Sequence, residues 1–170
     1  MEHLYVEWGE YHRLIERLAL QIYESGYRFD GILCLARGGL RIGDVFSRIY
    51  DRPLAVLATS SYREAAGTQQ GQLDIAEFIT MTGGQLQGKV LLVDDLVDSG
   101  VTLQRVTEHL RTRFSAITEV RTAVLWHKGV SMFKPDYSVA YLPTSPWIHQ
   151  PFEEYDALRP NQLAARLRQS

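Results

Sequence analysis

The stretch Val90-Leu91-Leu92-Val93-Asp94-Asp95-Leu96-Val97-Asp98-Ser99-Gly100-Val101-Thr102 decides how this chain folds. Its first four residues are a continuous apolar run, the pattern of a strand buried on both faces. Two adjacent carboxylates, Asp94 and Asp95, close the run, and a third, Asp98, follows three residues on. Ser99, Gly100, Val101 and Thr102 then form a small-residue turn. Leu103, Val106, Leu110 and Phe114 continue at helical spacing. A turn that opens a helix can offer backbone N–H groups and hydroxyls to a phosphate. The carboxylates would repel that phosphate unless they serve another group. A ribose diol with a divalent cation suits them, because Mg²⁺ combines one or two carboxylates with substrate phosphates.

Tyr11, Leu14, Ile15, Leu18, Ala19, Ile22 and Tyr23 predict a helix that stops at Gly26. Residues 32–36 predict a buried strand, and Arg37-Gly38-Gly39 interrupts it before a helix over 40–50. A strand over 54–58 follows. Residues 59–88 are polar and rich in Gly, Gln and Thr, with a weak strand over 78–81. A loop over about 60–84 is therefore the expected mobile segment. Residues 120–126 and 137–142 predict two more strands, and a short basic helix over 162–168 ends the chain. Residues 143–160 carry four prolines and a cluster of aromatics and are expected to be irregular. The aromatic N-terminal segment with Tyr5, Trp8 and Tyr11 reads either as an interface or as core. Alternating strands and helices predict an α/β fold in one domain, residues 1–170, with a mostly parallel central sheet and helices on both faces. In such sheets ligands bind beyond the carboxyl ends of the strands, where the turns at Arg37 and Asp94 both fall.

The chain has 170 residues and a net charge of −2, so no strong field points to nucleic acid or an anionic membrane. Cys34 is the single cysteine, inside an apolar run. It reads as a buried small hydrophobe in a protein of the reducing cytosol. Glu2, Glu7 and Glu10 among aromatics argue against a signal peptide. No apolar stretch approaches the ~20 residues that span a bilayer. Residues 83–89 match the first seven positions of a Walker A loop, but the closing Ser or Thr is missing and the loop precedes a strand. There is no Rossmann glycine pattern, and the five histidines lack zinc-ligand spacing.

Residues 90–102 resemble the phosphoribosyl-diphosphate (PRPP) motif of type I phosphoribosyltransferases: a hydrophobic strand, two acids, two apolar residues, then Asp-(Thr/Ser)-Gly-x-Thr. Leu35-Ala36-Arg37-Gly38-Gly39-Leu40 is similar to the pyrophosphate loop of that family. Ser60-Ser61-Tyr62 resembles the start of the flexible lid in its 6-oxopurine members. Pro146-Trp147-Ile148-His149-Gln150-Pro151-Phe152 is similar to the C-terminal hood of xanthine-guanine and hypoxanthine phosphoribosyltransferases. The four motifs stand in family order over roughly residues 4–155.

The resemblance implies a Mg²⁺-dependent transfer of ribose 5-phosphate from PRPP to a 6-oxopurine, giving a nucleoside monophosphate and pyrophosphate in purine salvage. It implies the family's fold, with a small hood at about 143–160, and a homodimer or homotetramer in the cytoplasm. Asp94 and Asp95 would accept the ribose hydroxyls, with Asp95 also at the metal. Ser99, Gly100, Val101 and Thr102 would cradle the 5-phosphate, and Arg37 and Gly38 the pyrophosphate. Asp98 would face purine N7 as the catalytic proton acceptor; it also reads as an N-cap for the following helix. Lys128 would donate to the 6-oxo group, or else be a surface lysine. Trp147 would stack on the base, or else be core, and Ile148 would read the base edge through its backbone. Ser61 and Tyr62 would belong to the lid, whose stretch 67–72 lacks the basic residue such lids often carry; Arg63 is the candidate substitute. Two alternatives stay open: a different acceptor base, and a regulator of the same fold that binds PRPP or a nucleotide without turnover.

Overall fold

The structure is a computed structural model that describes residues 1–61 and 73–170. In chain order its elements are β1 (His3–Tyr5), α1 (Trp8–Glu24), β2 (Gly31–Ala36), α2 (Leu40–Tyr50), β3 (Leu54–Ser61), β4 (Leu73–Ile75), β5 (Thr80–Met81), β6 (Gly88–Val93), β7 (Leu96–Val97), α3 (Val101–Arg113), β8 (Ile117–Lys128), β9 (Tyr137–Leu142), β10 (Trp147–His149), α4 (Glu154–Ala157) and α5 (Pro160–Arg168).

The apolar runs become the parallel centre of the sheet, in the order β3, β2, β6, β8, β9. Side chains alternate between its faces. Ile32, Cys34, Leu91, Val93, Ala123 and Leu125 pack with α1 and with Ile42 and Phe46 of α2. Leu33, Leu35, Val90, Leu92 and Val124 pack with Leu103, Val106 and Leu110 of α3. Helices therefore cover both faces, which is why these strands tolerate no polar alternation.

The topology places the site. From β2 the chain crosses through α2 to β3 on one side; from β6 it crosses through α3 to β8 on the other. The strand order thus reverses between the neighbours β2 and β6, and a crevice opens at their carboxyl ends. Cys34 pairs with Val93 there, so the Arg37 turn and the Asp94 turn leave adjacent strands side by side.

The helices expected over 11–23, 40–50 and 103–114 and the central strands form as read. Three expectations change. The weak strand expected over 78–81 forms as β5, paired antiparallel with β3 through Val56–Thr80, but residues 73–75 add β4, which also pairs antiparallel with β3, through Ser60–Asp74. Residues 143–160 are not irregular throughout; they hold β10 and α4. Nor is the hood built from that segment alone, because β1 pairs in parallel with β10, Leu4 opposite Ile148. Within the N-terminal aromatics, Tyr11 is core while Tyr5 is exposed. Cys34 is fully buried, and burial pushes its thiol up to about 11, so it stays an unreactive thiol. The 83–89 stretch runs into the start of β6, where the Lys89 N–H donates to the Asp30 carboxylate at 2.8 Å, the wrong place for a phosphate loop. Among the described residues, no helix is long and apolar enough to cross a membrane.

Candidate active site

β6 does not simply end at Val93. The chain bulges outward at Asp94 and Asp95 and re-enters the ladder as β7, in the same register against β8. Backbone bonds from Asp94 N–H to Ala123 C=O (3.1 Å) and from Leu125 N–H to Asp95 C=O (2.9 Å) hold the bulge on both sides. The two carboxylates turn back on their own loop: Asp94 Oδ1 accepts the Asp95 N–H at 2.9 Å, and Asp95 Oδ1 accepts the Leu96 N–H at 2.7 Å. Burial, and then the adjacent Asp95 carboxylate, push the Asp94 carboxyl well above the usual carboxylate range.

The Arg37-Gly38-Gly39 turn presses against this bulge. A Cβ on Gly38 would lie 2.6 Å from the Asp95 carboxyl carbon, and one on Gly39 would lie 2.5 Å from the Val93 carbonyl oxygen and 2.9 Å from that of Leu35. Gly39 has φ −84°, which any residue adopts, so the requirement is steric rather than conformational. Gly39→Ala is expected to destabilise the fold by about 3 kcal/mol, measured as a fall in the urea midpoint, since its neighbours are backbone atoms of two core strands. Arg37 is largely exposed, and its guanidinium lies 3.8 Å from the Asp156 carboxylate of α4.

Two helix N-termini face the crevice. α2 starts at Gly39 and α3 at Gly100, and among the described residues no side chain caps either one. Leu40 N–H already donates to Arg37 C=O at 3.1 Å and Val101 N–H to the Ser99 hydroxyl, so the N–H groups that follow them in each first turn are the ones an anion can take. Gly100 has φ +90°, and a Cβ there would also collide with Phe133 and Ser131. The segment after β8 backs this turn, with Met132 N–H donating to Ser99 C=O at 3.1 Å. The Ser99 hydroxyl accepts the Val101 N–H at 3.3 Å, and Thr102 is half-buried one residue into α3.

Asp98 is not the N-cap of α3; that position is Gly100. The Asp98 carboxylate instead accepts from Lys128 Nζ at 3.3 Å and from the Ser145 hydroxyl of the hood at 3.4 Å. Nor is Lys128 a surface lysine. It ends β8 at 6% exposure, with its ammonium paired to the Asp98 carboxylate.

The hood stands beside this pair. Trp147 is partly exposed, and its indole N–H donates to Glu153 Oε1 at 3.1 Å. The Ile148 side chain is buried in the core beneath. Trp147 N–H donates to Glu2 C=O and His149 C=O accepts from Val6 N–H, so residues 147 and 149 face β1. Strand alternation then turns the N–H and C=O of Ile148 to the opposite edge. Gln150, unassigned by the sequence reading, donates from Nε2 to Asp95 Oδ2 at 2.6 Å. Ser61 ends β3, whereas Tyr62 and Arg63 lie outside the described residues.

A family model for the phosphoribosyl transferase domain matches residues 7–157. The chain belongs to the phosphoribosyl transferase family. It is 31% identical over 150 residues to a xanthine-guanine phosphoribosyltransferase of Idiomarina loihiensis, covering 88% of this chain and 86% of the relative. Among solved structures it superposes on a purine phosphoribosyltransferase from Pyrococcus horikoshii with a TM-score of 0.73 at 31% identity, over 94% of this chain and 99% of that one. The Helicobacter pylori xanthine-guanine-hypoxanthine phosphoribosyltransferase gives the same TM-score at 23% identity, over 99% of this chain and 100% of that one, which shows the shared fold. Within this phosphoribosyl transferase, Gly38 lies against Asp95, Gln150 of the hood meets Asp95, and Lys128 and Ser145 meet Asp98.

Proposed function

We propose that this phosphoribosyl transferase moves the 5-phosphoribosyl group of PRPP onto a 6-oxopurine (xanthine, guanine or hypoxanthine), with release of pyrophosphate. The observation that carries the choice of base is the Lys128–Asp98 pair, 3.3 Å apart at the mouth of the crevice. A 6-oxopurine presents N7 and O6 side by side on one edge. Lys128 Nζ carries three donors and can hold Asp98 and O6 together. Asp98 then accepts the N7–H proton as the ring attacks through its other nitrogen. The bond from C1 of the ribose to pyrophosphate breaks, the bond from C1 to the purine forms, and the ring proton passes to Asp98. Adenine would set its amino group against the Lys128 donor, leaving both unpaired.

PRPP fits the rest of the crevice. The 99–102 turn and the uncapped α3 N-terminus take the 5-phosphate. Arg37 and the N–H groups around Gly38 take the pyrophosphate, for which the Arg37 fork suits a bidentate grip. Asp156→Asn, which frees Arg37 from an exposed and weak competitor, is expected to lower the KM for PRPP by no more than about twofold. Asp94 and Asp95 accept the ribose hydroxyls, and their charge favours the cationic sugar as the bond to pyrophosphate breaks. The pair also fits Mg²⁺, with Asp95 as the direct or water-mediated ligand, because a cation offsets both the burial and the Asp95 repulsion that raise Asp94. Among the described residues no three His, Cys, Asp or Glu side chains gather as a metal cage, consistent with a cation held in part by substrate phosphates. Bound Mg²⁺ would neutralise phosphate charge and ease departure of pyrophosphate. Trp147 stacks on the purine and the Ile148 backbone reads its edge. Ser61 and Tyr62 belong to the lid. We place the enzyme in the cytoplasm as a homodimer or homotetramer.

The test is chromatographic: the protein, PRPP and Mg²⁺ are incubated with each purine in turn. Nucleoside monophosphate from one or more 6-oxopurines supports the assignment, and nucleotide formed from adenine alone overturns it.

A further inference from the structure

Asp95 is held from three directions. Its own loop gives the Leu96 N–H to Oδ1. The pyrophosphate turn approaches so closely that Gly38 has no room for a Cβ. From the hood, Gln150 Nε2 donates to Oδ2 at 2.6 Å. The other end of that amide, Oε1, is buried and has no hydrogen-bond partner among the described residues. The amide thus leaves one polar atom unpaired while keeping the bond to Asp95. Its backbone is fixed as well. Gln150 C=O accepts the Glu153 N–H at 3.0 Å. Two residues on, Phe152 packs edge-on to Tyr11 and lies 4.3 Å below the Arg41 guanidinium.

We propose that Gln150 is a positioning residue that couples the purine site to the PRPP site, a reading that rests on the function proposed above. Gln150 follows Trp147 and Ile148 by three and two residues on the same short segment. Purine seated on that segment fixes β10, β10 fixes Gln150, and Gln150 fixes the carboxylate that meets the ribose and the cation. Each carboxylate oxygen has two acceptor sites. Gln150 and Leu96 occupy one on each oxygen and leave one on each for substrate. A neutral amide can orient the carboxylate without cancelling the charge that the cation needs; an Arg or Lys there would compete with it. Coupling of this kind is reciprocal, so purine tightens PRPP binding and PRPP tightens purine binding by the same factor.

Initial velocities over a grid of PRPP and purine concentrations test this, together with calorimetric titration of PRPP and Mg²⁺ without purine. In the wild type, saturating purine is expected to lower the apparent KM for PRPP about fivefold or more. Gln150→Leu is expected to bring that factor close to one and to raise the Mg²⁺ concentration for half-maximal rate. Gln150→Glu, which sets a like charge against Asp95, is expected to weaken PRPP binding further. Leu86→Ala, which opens a cavity in the core face packed by α3 and touches neither the hood nor Asp95, lowers stability and is expected to keep the wild-type factor. Gln150→Leu with the wild-type factor, or a wild-type factor of one, overturns the proposal. A wild type that neither binds PRPP nor turns it over overturns the function instead.

Discussion

Replacing Asp98 with Asn is expected to lower kcat by about 10²- to 10³-fold while changing the KM for PRPP by less than about twofold. Lys128 Nζ and the Ser145 hydroxyl now bind different oxygens of Asp98, at 3.3 and 3.4 Å; the carboxamide keeps its oxygen for Lys128 Nζ and can donate from its NH2 to the Ser145 hydroxyl oxygen. It cannot take up the purine ring proton. The change therefore removes the proton acceptor and leaves the shape of the pocket. Asp98→Ala is the poorer experiment, because it strips a nearly buried ammonium of its partner and mixes chemistry with instability. Steady-state kinetics with a thermal melt on the same sample separate the two. A large rise in the KM for PRPP with kcat unchanged would contradict the role.

Asp94→Asn is expected to stabilise the protein and damage the enzyme. The carboxyl titrates well above its usual range, because it is buried beside Asp95. The folded state therefore holds the Asp94 proton more tightly than the unfolded chain does. Between the unfolded value, about 3.9, and the raised folded value, the folded state binds more protons, so this group's contribution to stability falls as pH rises. A carboxamide does not titrate, and its oxygen can still accept the Asp95 N–H. The variant's advantage in Tm is expected to be absent near the unfolded carboxyl pKa and to grow with pH through that window. At alkaline pH it should reach about 2–4 °C, the shift that about 1 kcal/mol gives a domain of this size. In the same variant kcat/KM for PRPP is expected to fall about 10- to 150-fold, the value of a hydrogen bond to a charged group. Melts from acid to alkaline pH check the first half, and a Tm advantage that shrinks with rising pH would contradict it.

Much of the fold was legible in residues 90–102 and 31–36 because a strand covered on both faces must be apolar at every position. That pattern fixed β6, β2 and the helices that follow, and with them the crevice at the switch point. The strands β1, β4, β7 and β10 are two or three residues long, too short for a period of two to register. They depend on partners distant in sequence, as His3 depends on Trp147. The site divides in the same way. Asp94, Asp95, Asp98 and the 99–102 turn lie in one contiguous motif. Lys128 and Asp98 are thirty residues apart, and the β7–β8 register, Val97 opposite His127, brings them together. Gln150 lay inside a quoted motif yet carried no sign of its role, because a glutamine after a strand reads as an ordinary turn residue. Its bond to Asp95 spans fifty-five residues and exists only in the fold.

Base-dependent release of pyrophosphate from PRPP and Mg²⁺ is the deciding measurement, with hypoxanthine, guanine, xanthine and adenine offered separately to the wild type and to Asp98→Asn. The predicted result is wild-type release with one or more 6-oxopurines, none above background with adenine, and a rate reduced at least about a hundredfold in Asp98→Asn. PRPP binding without release in the presence of any purine would contradict it and leave a sensor of the same fold.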